Sequence, residues 1–515
     1  MARLSSIGRW LEERAGLGAA VTPVLDHPVP RRTASWWYTF GSATVALFVL
    51  QIVTGICLAF VYVPSADKAF ESLLYLNYEA SFGWYLRAMH FWGSNAMVAV
   101  MTLHMIQVFL WGAHKYPREL TWIVGVFLFL CTLGMAFTGQ LMRWDQDAYW
   151  GLGIGASIAS RTPFIGQSVV HLMLGGPIIA GRTLSRIFTA HVFLIPGILI
   201  ALVGLHLWLV LRLGVNEWPM PGRLVDRTTY RQRYDEDVHR DGVPFFPDVV
   251  RKDMVSMGLA VLIVLVCAAI FGPFGPHGVP DPTIIDTAPK PDFYFLALFA
   301  LFALLPPWTE TVLLLVGPPL AIVGLLVVPF VAGTGEKSWT RRPVAVLGVL
   351  LIVLTVTTLA GLGVAVPWSP VMDAWSGLPT PVEYVRGRTA LELQGALVVQ
   401  NKQCRNCHAL GGHGGRRGPA LDDVATRQTR DQLIRQVIQG GGNMPAYGKN
   451  LSPAEVNALV AFLETLRPAN ARAAKPVVDP RCLPPLRCTS AGGRKRPLRC
   501  PSASLRGTSP PSSPD

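Results

Sequence analysis

The segment AMHFWGSNAMVAVMTLHMIQVFLWGAH, residues 88–114, has no Asp, Glu, Lys or Arg and is long enough to cross a bilayer as a helix. It carries two histidines, His90 and His104, fourteen residues apart. At the helical rise this interval measures about 21 Å and is nearly a whole number of turns, so both imidazoles lie close to one face. Histidines inside a membrane are costly and usually functional.

A second apolar segment, Ile187 to Leu211, repeats the pattern with His191 and His206, fifteen residues apart. Two helices that each present two histidines can hold two stacked, non-covalently bound b-type haems, one near either membrane surface. A single intramembrane histidine would more often be a satisfied core residue, and four at matched spacing weaken that alternative. The extra residue turns His206 by about 100°, and a kink at Pro196 is expected to absorb the turn.

Glycines on two further apolar segments share the fourteen-residue interval. Gly41 and Gly55 lie on the first, and Gly125 and Gly139 on the third. Close packing of helices also uses small residues, which is the competing explanation. The shared interval favours flat macrocycles that press on helix backbones where a side chain would clash.

The composition as a whole is that of a membrane protein. Of 515 residues, 51% are hydrophobic and only 15% charged, whereas about a quarter are charged in a soluble protein. A shorter apolar stretch, Phe293 to Thr309, is expected to lie at the interface. We predict seven transmembrane helices, inside Thr33–Ala66, Ala88–His114, Leu120–Met142, Ile187–Leu211, Met254–Pro280, Thr311–Gly335 and Pro343–Met372.

Lys and Arg in the connecting loops set the expected orientation. The basic stretch from Arg212 to Lys252 and the N-terminal arginines are cytoplasmic in this interpretation, so an odd number of spans leaves everything after residue 372 outside. The predicted organisation is a cytoplasmic segment 1–32, a four-helix dihaem bundle 33–215, a cytoplasmic loop 216–252, a three-helix region 253–372, a periplasmic all-α domain 385–467 and a tail 468–515.

The tail carries nine basic and two acidic residues, is rich in Pro and Ser, and is expected to be disordered. Much of the net charge of +13 therefore belongs to this tail. No basic face interleaved with aromatic residues supports nucleic-acid binding. Eight cysteines are too few for a disulfide framework, and three of them lie in this tail without a role that we can derive.

Cys404-Arg405-Asn406-Cys407-His408 is a c-type haem attachment motif, in which two thiols bind the porphyrin covalently and the histidine ligates iron. A redox or zinc Cys pair is the alternative. Met444, 36 residues beyond His408, is the expected second axial ligand, and Met/His ligation raises the potential of the iron. Because such haems are attached outside the cytoplasmic membrane, the motif agrees with the predicted orientation.

At these residues the chain resembles the cytochrome b family of quinol:cytochrome c oxidoreductases over about residues 30 to 370. The fifteen-residue interval and seven spans are similar to the plastid-type branch, here joined to its three-helix subunit and to a fused class I cytochrome c domain. The resemblance implies that His90 pairs with His191 on a periplasmic, low-potential haem and His104 with His206 on a cytoplasmic, high-potential one. It also implies that Arg87 contacts a haem propionate.

Four positions depart from the family pattern. Thr39 stands where the plastid-type proteins attach an extra haem through cysteine, so no such haem is expected. Arg143 replaces a proline before the tryptophan of the third loop. The Pro-Glu-Trp-Tyr motif of the quinol-oxidation site reads Pro291-Asp292-Phe293-Tyr294, with a carboxylate one methylene shorter.

The resemblance implies a proton-translocating quinol:cytochrome c oxidoreductase in a bacterial cytoplasmic membrane, and it implies the following steps. Asp292 accepts a quinol proton and Tyr294 orients the quinol at the periplasmic face. One electron passes to a separate Rieske iron-sulfur protein and the c haem, and the other passes through the b haems to a cytoplasmic-side quinone. Lys252, Asp253 and Arg212 are the candidate residues for quinone reduction, with interfacial anchoring as the alternative.

The implied partners are the Rieske protein, quinol and quinone, membrane lipid, a cytochrome c or oxidase as acceptor, and a second copy of the complex. Two other functions stay open. One is a dihaem membrane anchor that links a periplasmic redox partner to the quinone pool without proton translocation. The other is a non-catalytic electron-transfer or assembly subunit.

Overall fold

The structure is a computed structural model that describes residues 10, 12–16, 22, 25–176, 179–281, 290–305, 307–365, 379–402, 404–414, 418–440, 444, 447–448 and 451–468. The described residues confirm an all-α membrane protein. All of the tail predicted to be disordered except Pro468 lies outside them, as does the end of the seventh predicted span, residues 366–372.

Seven helices in the described part of the chain are long and apolar enough to cross a membrane. A backbone in lipid has no water to bond, so these apolar segments satisfy their own N–H and C=O groups as helices. Two of them begin several residues before the predicted spans, at Gly83 and Gly181. The helices are α1 Phe40–Ala59, α3 Gly83–Leu110, α4 Glu119–Leu141, α7 Gly181–Leu213, α9 Val250–Phe271, α11 Pro307–Val331 and α12 Pro343–Ala365.

Shorter helices lie between the spans. The predicted interfacial helix begins at Phe293 but ends at Leu304, because Leu305 is extended ahead of the prolines. Glycines with positive φ, Gly214 and Gly272, end α7 and α9. The shorter helices of this region are α2 Ala69–Tyr78, α5 Gln146–Ser160, α6 Gly166–Leu174, α8 Tyr230–Asp241 and α10 Phe293–Leu304, with single turns at Arg31–Thr33, Trp36–Tyr38, Phe245–Asp248 and Trp339–Arg341.

One turn of α7 is a π-helix, Ala190–Leu194, and it contains His191. The N–H of Ile195 bonds to the carbonyl of Ala190, five residues back, so the turn holds one residue more than an α-helical turn. This turn, rather than the expected kink at Pro196, absorbs the extra residue between the two histidines. With one π turn between them, His191 and His206 therefore lie on nearly the same helix face, as two residues fourteen apart do in a regular α-helix.

Two buried apolar clusters stabilise the helical region. One joins the middle of α1, α3, α4, α7 and α9, with Leu47, Met97, Leu128, Leu199 and Val264 at its centre. The other joins α2, α5 and α6 to the adjoining ends of α4 and α7. The histidine-bearing helices α3 and α7 therefore lie in a bundle with the glycine-bearing helices α1 and α4.

A buried polar cluster ties the loop after α7 to the loop after α11. The ammonium of Lys337 donates to Asn216 and lies 3.4 Å from a Glu217 carboxylate oxygen and from the Tyr230 hydroxyl. Arg118 also donates to Tyr230, at 2.8 Å. Burial lowers the pKa of Lys337 to about 7, although Glu217 opposes the shift. Strands in this region are β1 Pro28–Pro30 paired antiparallel with β3 Gly242–Pro244, and β2 Leu224–Val225 paired with β4 Gly335–Glu336.

The chain divides into two compact units, residues 1–378 with 436–451, and residues 379–435 with 452–515. In the second unit the first and last helices cross so closely that a Cβ on Gly395 would meet the Ala458 carbonyl. Capping boxes at Thr389 and Ser452 begin these two helices. The remaining elements are α13 Ala390–Asn401, α14 Arg430–Gln439, α15 Pro453–Leu463, turns at Val382–Val385, Cys404–Asn406 and Val424–Arg427, and a hairpin of β5 Ala409–Leu410 with β6 His413–Gly414. The domain boundaries drawn from the sequence stay predictions.

Candidate haem and quinol sites

His90 of α3 and His191 of α7 face each other, with ring centroids 6.3 Å apart and ring planes inclined at 73°. A metal–imidazole bond is about 2.0 Å long and the ring centre lies about 1.1 Å beyond the nitrogen, so two imidazoles on one metal have centroids about 6 Å apart. The spacing of this pair therefore fits one iron between two imidazoles.

A threonine hydroxyl contacts Nδ1 of each ring in this pair. Thr54 Oγ1 of α1 lies 2.9 Å from His90 Nδ1, and Thr138 Oγ1 of α4 lies 2.9 Å from His191 Nδ1. Because Nδ1 is engaged on both rings, Nε2 is the nitrogen available to a metal.

His104 and His206 form the second pair, close enough to interact electrostatically. Their Nδ1 atoms are buried and have no hydrogen-bond partner among the described residues. The Thr121 carbonyl lies near the His206 ring without meeting hydrogen-bond geometry. Buried imidazole nitrogens of this kind are expected where a bound group, rather than the protein alone, completes the site.

Each of the four glycines faces one of the four histidines. A Cβ on Gly55 would lie 3.2 Å from the His90 ring, and one on Gly139 would lie 2.8 Å from the His191 ring. At the second pair the distances are 3.4 Å from Gly41 to His104 and 3.7 Å from Gly125 to His206. A side chain at these positions would fill the space beside the rings, so the histidines and glycines together fit a flat, axially ligated macrocycle.

Arg87, one turn before His90, is buried and held by the loop after α9. Its guanidinium donates to Asn77 Oδ1 at 2.9 Å and to the carbonyls of Phe274 and Gly275 at 2.6 Å each. These bonds place a positive charge at the end of α3 where the first pair lies. The position suits the expected contact with a carboxylate of the cofactor.

Asp292 and Tyr294 come together at the start of α10. The Tyr294 hydroxyl donates to Asp292 Oδ2 at 2.7 Å. Asp292 occupies the N-cap position, yet its side chain makes no capping bond, so helix capping does not account for this carboxylate. Burial raises the pKa of the Tyr294 phenol, and the neighbouring Asp292 raises it further.

A cavity of about 460 Å³ adjoins Asp292. Its walls are largely apolar and come mainly from α3 and α9, and Pro291 precedes the lining residues Asp292 and Phe293 in the sequence. An apolar pocket with one carboxylate and an amide suits a hydrophobic ligand that carries exchangeable protons. The lining residues are Phe91, Trp92, Asn95, Ala96, Ala99, Ile263, Val264, Cys267, Asp292 and Phe293.

Asp145 is a residue whose role the sequence did not reveal. Its carboxylate is fully buried, caps α5 by accepting from the Ala148 N–H at 2.9 Å, and accepts from the His277 N–H at 3.0 Å. Arg143 pairs with Asp145 at 3.4 Å and with Asp147 at 3.8 Å. Arg143, the residue that departs from the family proline, is therefore neutralised locally by two acids.

At the opposite end, Asp253 Oδ1 accepts from the hydroxyl of Ser42 at 2.9 Å. Ser42 follows Gly41, the glycine that faces His104. Lys252 donates to the backbone carbonyl of Ala34. The Arg212 guanidinium stacks over Trp208 of its own helix, with the guanidinium carbon 5.1 Å from the ring centroid. Lys252 and Asp253 thus approach the start of α1, whereas Arg212 is placed by its own helix.

In the second unit, Cys404 and Cys407 lie on a short turn that places His408 next to a loop. His408 Nδ1 lies 2.7 Å from the Pro419 carbonyl, and a carbonyl can only accept, so Nδ1 carries the proton and Nε2 is available to iron. Burial lowers the pKa of His408, and the carbonyl contact opposes the shift. A Cβ on Gly418 would collide with this ring.

Met444 lies in the segment 436–451, which belongs to the first unit, and its thioether accepts from the Gln436 amide at 3.5 Å. Its role as axial ligand stays a prediction. Gly442, Asn443 and Pro445, which flank it, lie outside the described residues.

Comparison with known proteins identifies both parts of the chain. The family model described as Cytochrome b/b6/petB matches residues 24–214. The menaquinol:cytochrome c reductase cytochrome b subunit of Bacillus subtilis (strain 168) is 39% identical over 220 residues, which are 41% of this chain and 98% of that protein. This chain belongs to the cytochrome b family. In its C-terminal part, residues 391–463, the chain also matches the family model described as Cytochrome C oxidase, cbb3-type, subunit III.

Longer matches extend beyond the four-helix region of this cytochrome b. The cytochrome bc complex cytochrome b subunit of Chlorobaculum thiosulfatiphilum is 34% identical over 302 residues, 58% of this chain and 66% of that protein. A solved structure described as a hyperthermophilic respiratory Complex III has a TM-score of 0.59 and 28% identity, and the match covers 69% of this chain and 91% of that chain. Family membership, the seven apolar helices and the second family match make this a multi-pass, haem-binding membrane protein of electron transfer.

Proposed function

We propose that this cytochrome b is the membrane electron-transfer subunit of a proton-translocating quinol:cytochrome c oxidoreductase. The observation that carries the proposal is the double pair of histidines, each ring faced by a glycine, with a carboxylate-bearing cavity at one end of the same bundle. Relatives named as subunits of a menaquinol:cytochrome c reductase and of a bc complex support it.

The four histidines hold two b haems. His90 and His191 bind the periplasmic-side haem, and His104 and His206 bind the cytoplasmic-side haem. Gly41, Gly55, Gly125 and Gly139 leave room for the two macrocycles, and Arg87 neutralises a propionate. When bound, the haems supply two one-electron carriers between the two membrane faces.

Quinol oxidation takes place at the cavity beside Asp292, on the periplasmic face. Asp292 accepts one quinol proton and then releases it outward, since its carboxylate is not engaged in capping α10. The Tyr294 hydroxyl donates to Asp292 and is strongly disfavoured from ionising by burial, and its oxygen orients the quinol by accepting a hydrogen bond. Pro291 positions both side chains at the start of α10.

At the cytoplasmic face, Lys252 and Asp253 serve quinone reduction, with Arg212 as a further cation on the same side. The hydrogen bond from Ser42, the residue after the glycine that faces His104, to Asp253 supports this assignment. A carboxylate and an ammonium near the same site can deliver protons to a reduced quinone.

The C-terminal domain binds one covalent haem c through Cys404 and Cys407, with His408 and Met444 as axial ligands. It takes the place of a separate cytochrome c subunit and accepts the electron that a Rieske iron-sulfur protein withdraws from quinol. The proposed setting is a bacterial cytoplasmic membrane with the N-terminus inside, in a dimeric complex that delivers electrons to a cytochrome c or an oxidase.

Asp292→Asn tests the proposal in the purified complex. We expect two b haems per c haem in the pyridine haemochrome spectrum of both forms, and a loss of quinol:cytochrome c turnover of about a hundredfold in the variant. Asp235→Asn, which removes an exposed acid on α8, is the matched control and keeps full turnover. Undiminished turnover of Asp292→Asn with intact haem spectra would refute the role of this carboxylate.

A further inference from the structure

The two histidine pairs differ in a contact that the proposed function does not use. The Thr54 hydroxyl donates its single proton to the Leu50 carbonyl, 2.6 Å away, and also lies 2.9 Å from His90 Nδ1. A carbonyl only accepts, so the hydroxyl proton is committed to it. His90 Nδ1–H must therefore donate to Thr54 Oγ1.

Thr138 repeats the arrangement on α4. Its hydroxyl donates to the Gly134 carbonyl at 2.8 Å and lies 2.9 Å from His191 Nδ1. Both rings of this pair thus have a protonated Nδ1 that donates to an acceptor from a neighbouring helix.

The sequence shows that these threonines belong to a repeated unit. Thr54 precedes Gly55 and Thr138 precedes Gly139, the glycines that face the same two rings. Fourteen residues earlier, the residue before Gly41 is Phe40 and the residue before Gly125 is Val124. At the second pair, accordingly, His104 Nδ1 and His206 Nδ1 have no hydrogen-bond partner among the described residues.

An acceptor at Nδ1–H makes an imidazole a stronger electron donor through Nε2. Stronger donation stabilises ferric over ferrous iron and lowers the reduction potential. We propose that Thr54 and Thr138 are positioning residues that make the haem at His90 and His191 the harder of the two to reduce. The inference rests on the proposed haem sites and adds the cause of their difference in potential.

The difference has a direction that suits the function. An electron that enters at the periplasmic-side haem moves spontaneously to the cytoplasmic-side haem only if the second haem has the higher potential. Two hydroxyl contacts on one pair, and none on the other from the part of the chain that the structure describes, bias the transfer that way.

The test is a redox titration of the b haems in the purified complex carrying Thr54→Val, Thr138→Val or both. Valine keeps the shape of threonine and removes the acceptor. We expect the potential of one b haem to rise, with a two- to tenfold increase, roughly, in its reduced-to-oxidised ratio at a fixed ambient potential per hydrogen bond lost. Thr54→Val and Thr138→Val should act to a similar degree, because the two hydroxyl contacts have the same length of 2.9 Å. The other b haem and the c haem should not shift.

Matched controls lie on the same helices. Thr44 of α1 and Thr132 of α4 are buried and donate to carbonyls four residues back at 2.9 Å, with no histidine contact among those described. Thr44→Val and Thr132→Val should leave both potentials unchanged. Thr54→Ser should keep the wild-type value, and Val124→Thr, which supplies a hydroxyl beside His206, should lower the potential of the other haem.

The outcomes separate this inference from the proposed function. Absence of two b haems from the wild-type complex would refute the haem sites themselves. Two b haems whose potentials do not move in the double valine variant would overturn the role of the threonines and leave the haem sites standing. If Thr54→Val lost its haem, the haem potentials of Thr138→Val and Val124→Thr would test the role of the hydroxyls instead, and unchanged potentials in both would overturn it.

Discussion

The two histidine pairs share one plan and differ in detail. Both take one ring from α3 and one from α7, and both are flanked by glycines of α1 and α4 that recur every fourteen residues. The His90 pair is bonded through threonines, and one of its rings lies in a π turn, whereas the Nδ1 atoms of the His104 pair make no such bonds to any described residue. A repeated scaffold can thus hold two chemically distinct copies of one cofactor.

The largest effect is expected from removing a ring of either pair. His191→Ala and His206→Ala should each eliminate one b haem, because a bis-imidazole iron needs both ligands. The two variants should lose different components of the reduced-minus-oxidised spectrum. His171→Ala, at an exposed position on α6, is the control and keeps both haems. Loss of the same spectral component in both variants would contradict the assignment of the rings to separate sites.

The π turn offers a second way to separate the pairs. Deleting Val192 should convert Ala190–Leu194 to a regular turn and leave fourteen residues between the histidines, so both b haems should be retained. Deleting Ala201, in the regular part of α7, should instead rotate the ring of His206 by about 100° and displace one haem. Haem quantification checks both variants. Equal loss of haem from the two deletions would show that the π turn does not compensate for the extra residue.

A smaller effect is expected from the glycines. A Cβ on Gly139 would lie 2.8 Å from the His191 ring, whereas one on Gly125 would lie 3.7 Å from the His206 ring. Gly139→Ala should therefore cost about 1–3 kcal/mol of stability by overpacking, and Gly125→Ala should cost less. Thermal release of the b haems from the purified protein measures the difference. A release temperature equally low in both variants would mean that the space between glycine and histidine is equally tight at the two sites.

Much of this organisation could be predicted from residue spacing. Long apolar runs in a bilayer have only the helix available to satisfy their backbone, so the spans followed from length and composition. The ends of the helices could not be predicted in this way. The cap at Gly214 and the start of α3 at Gly83 depend on neighbouring loops. The histidine and glycine intervals predicted which residues share a face, since 3.6 residues per turn makes fourteen nearly a whole number of turns.

Other features of the site depended on contacts between distant segments. Asp145 binds the backbone of His277, and nothing in the local sequence joins these two residues. The expected kink at Pro196 proved to be a π turn just before it, because the extra residue is accommodated through backbone hydrogen bonds that spacing does not specify. The hydrogen bond between Tyr294 and Asp292 likewise depends on the backbone conformation at the start of α10.

By itself, the sequence determined the class of protein, the seven spans, the four histidines and the attachment motif at Cys404 to His408, because these depend on composition and on periodicity along one helix. Only the tertiary structure decided what each ring touches. Thr54 and His90 lie on different helices, and a hydrogen bond between helices depends on their rotation and approach, which no spacing within either helix records.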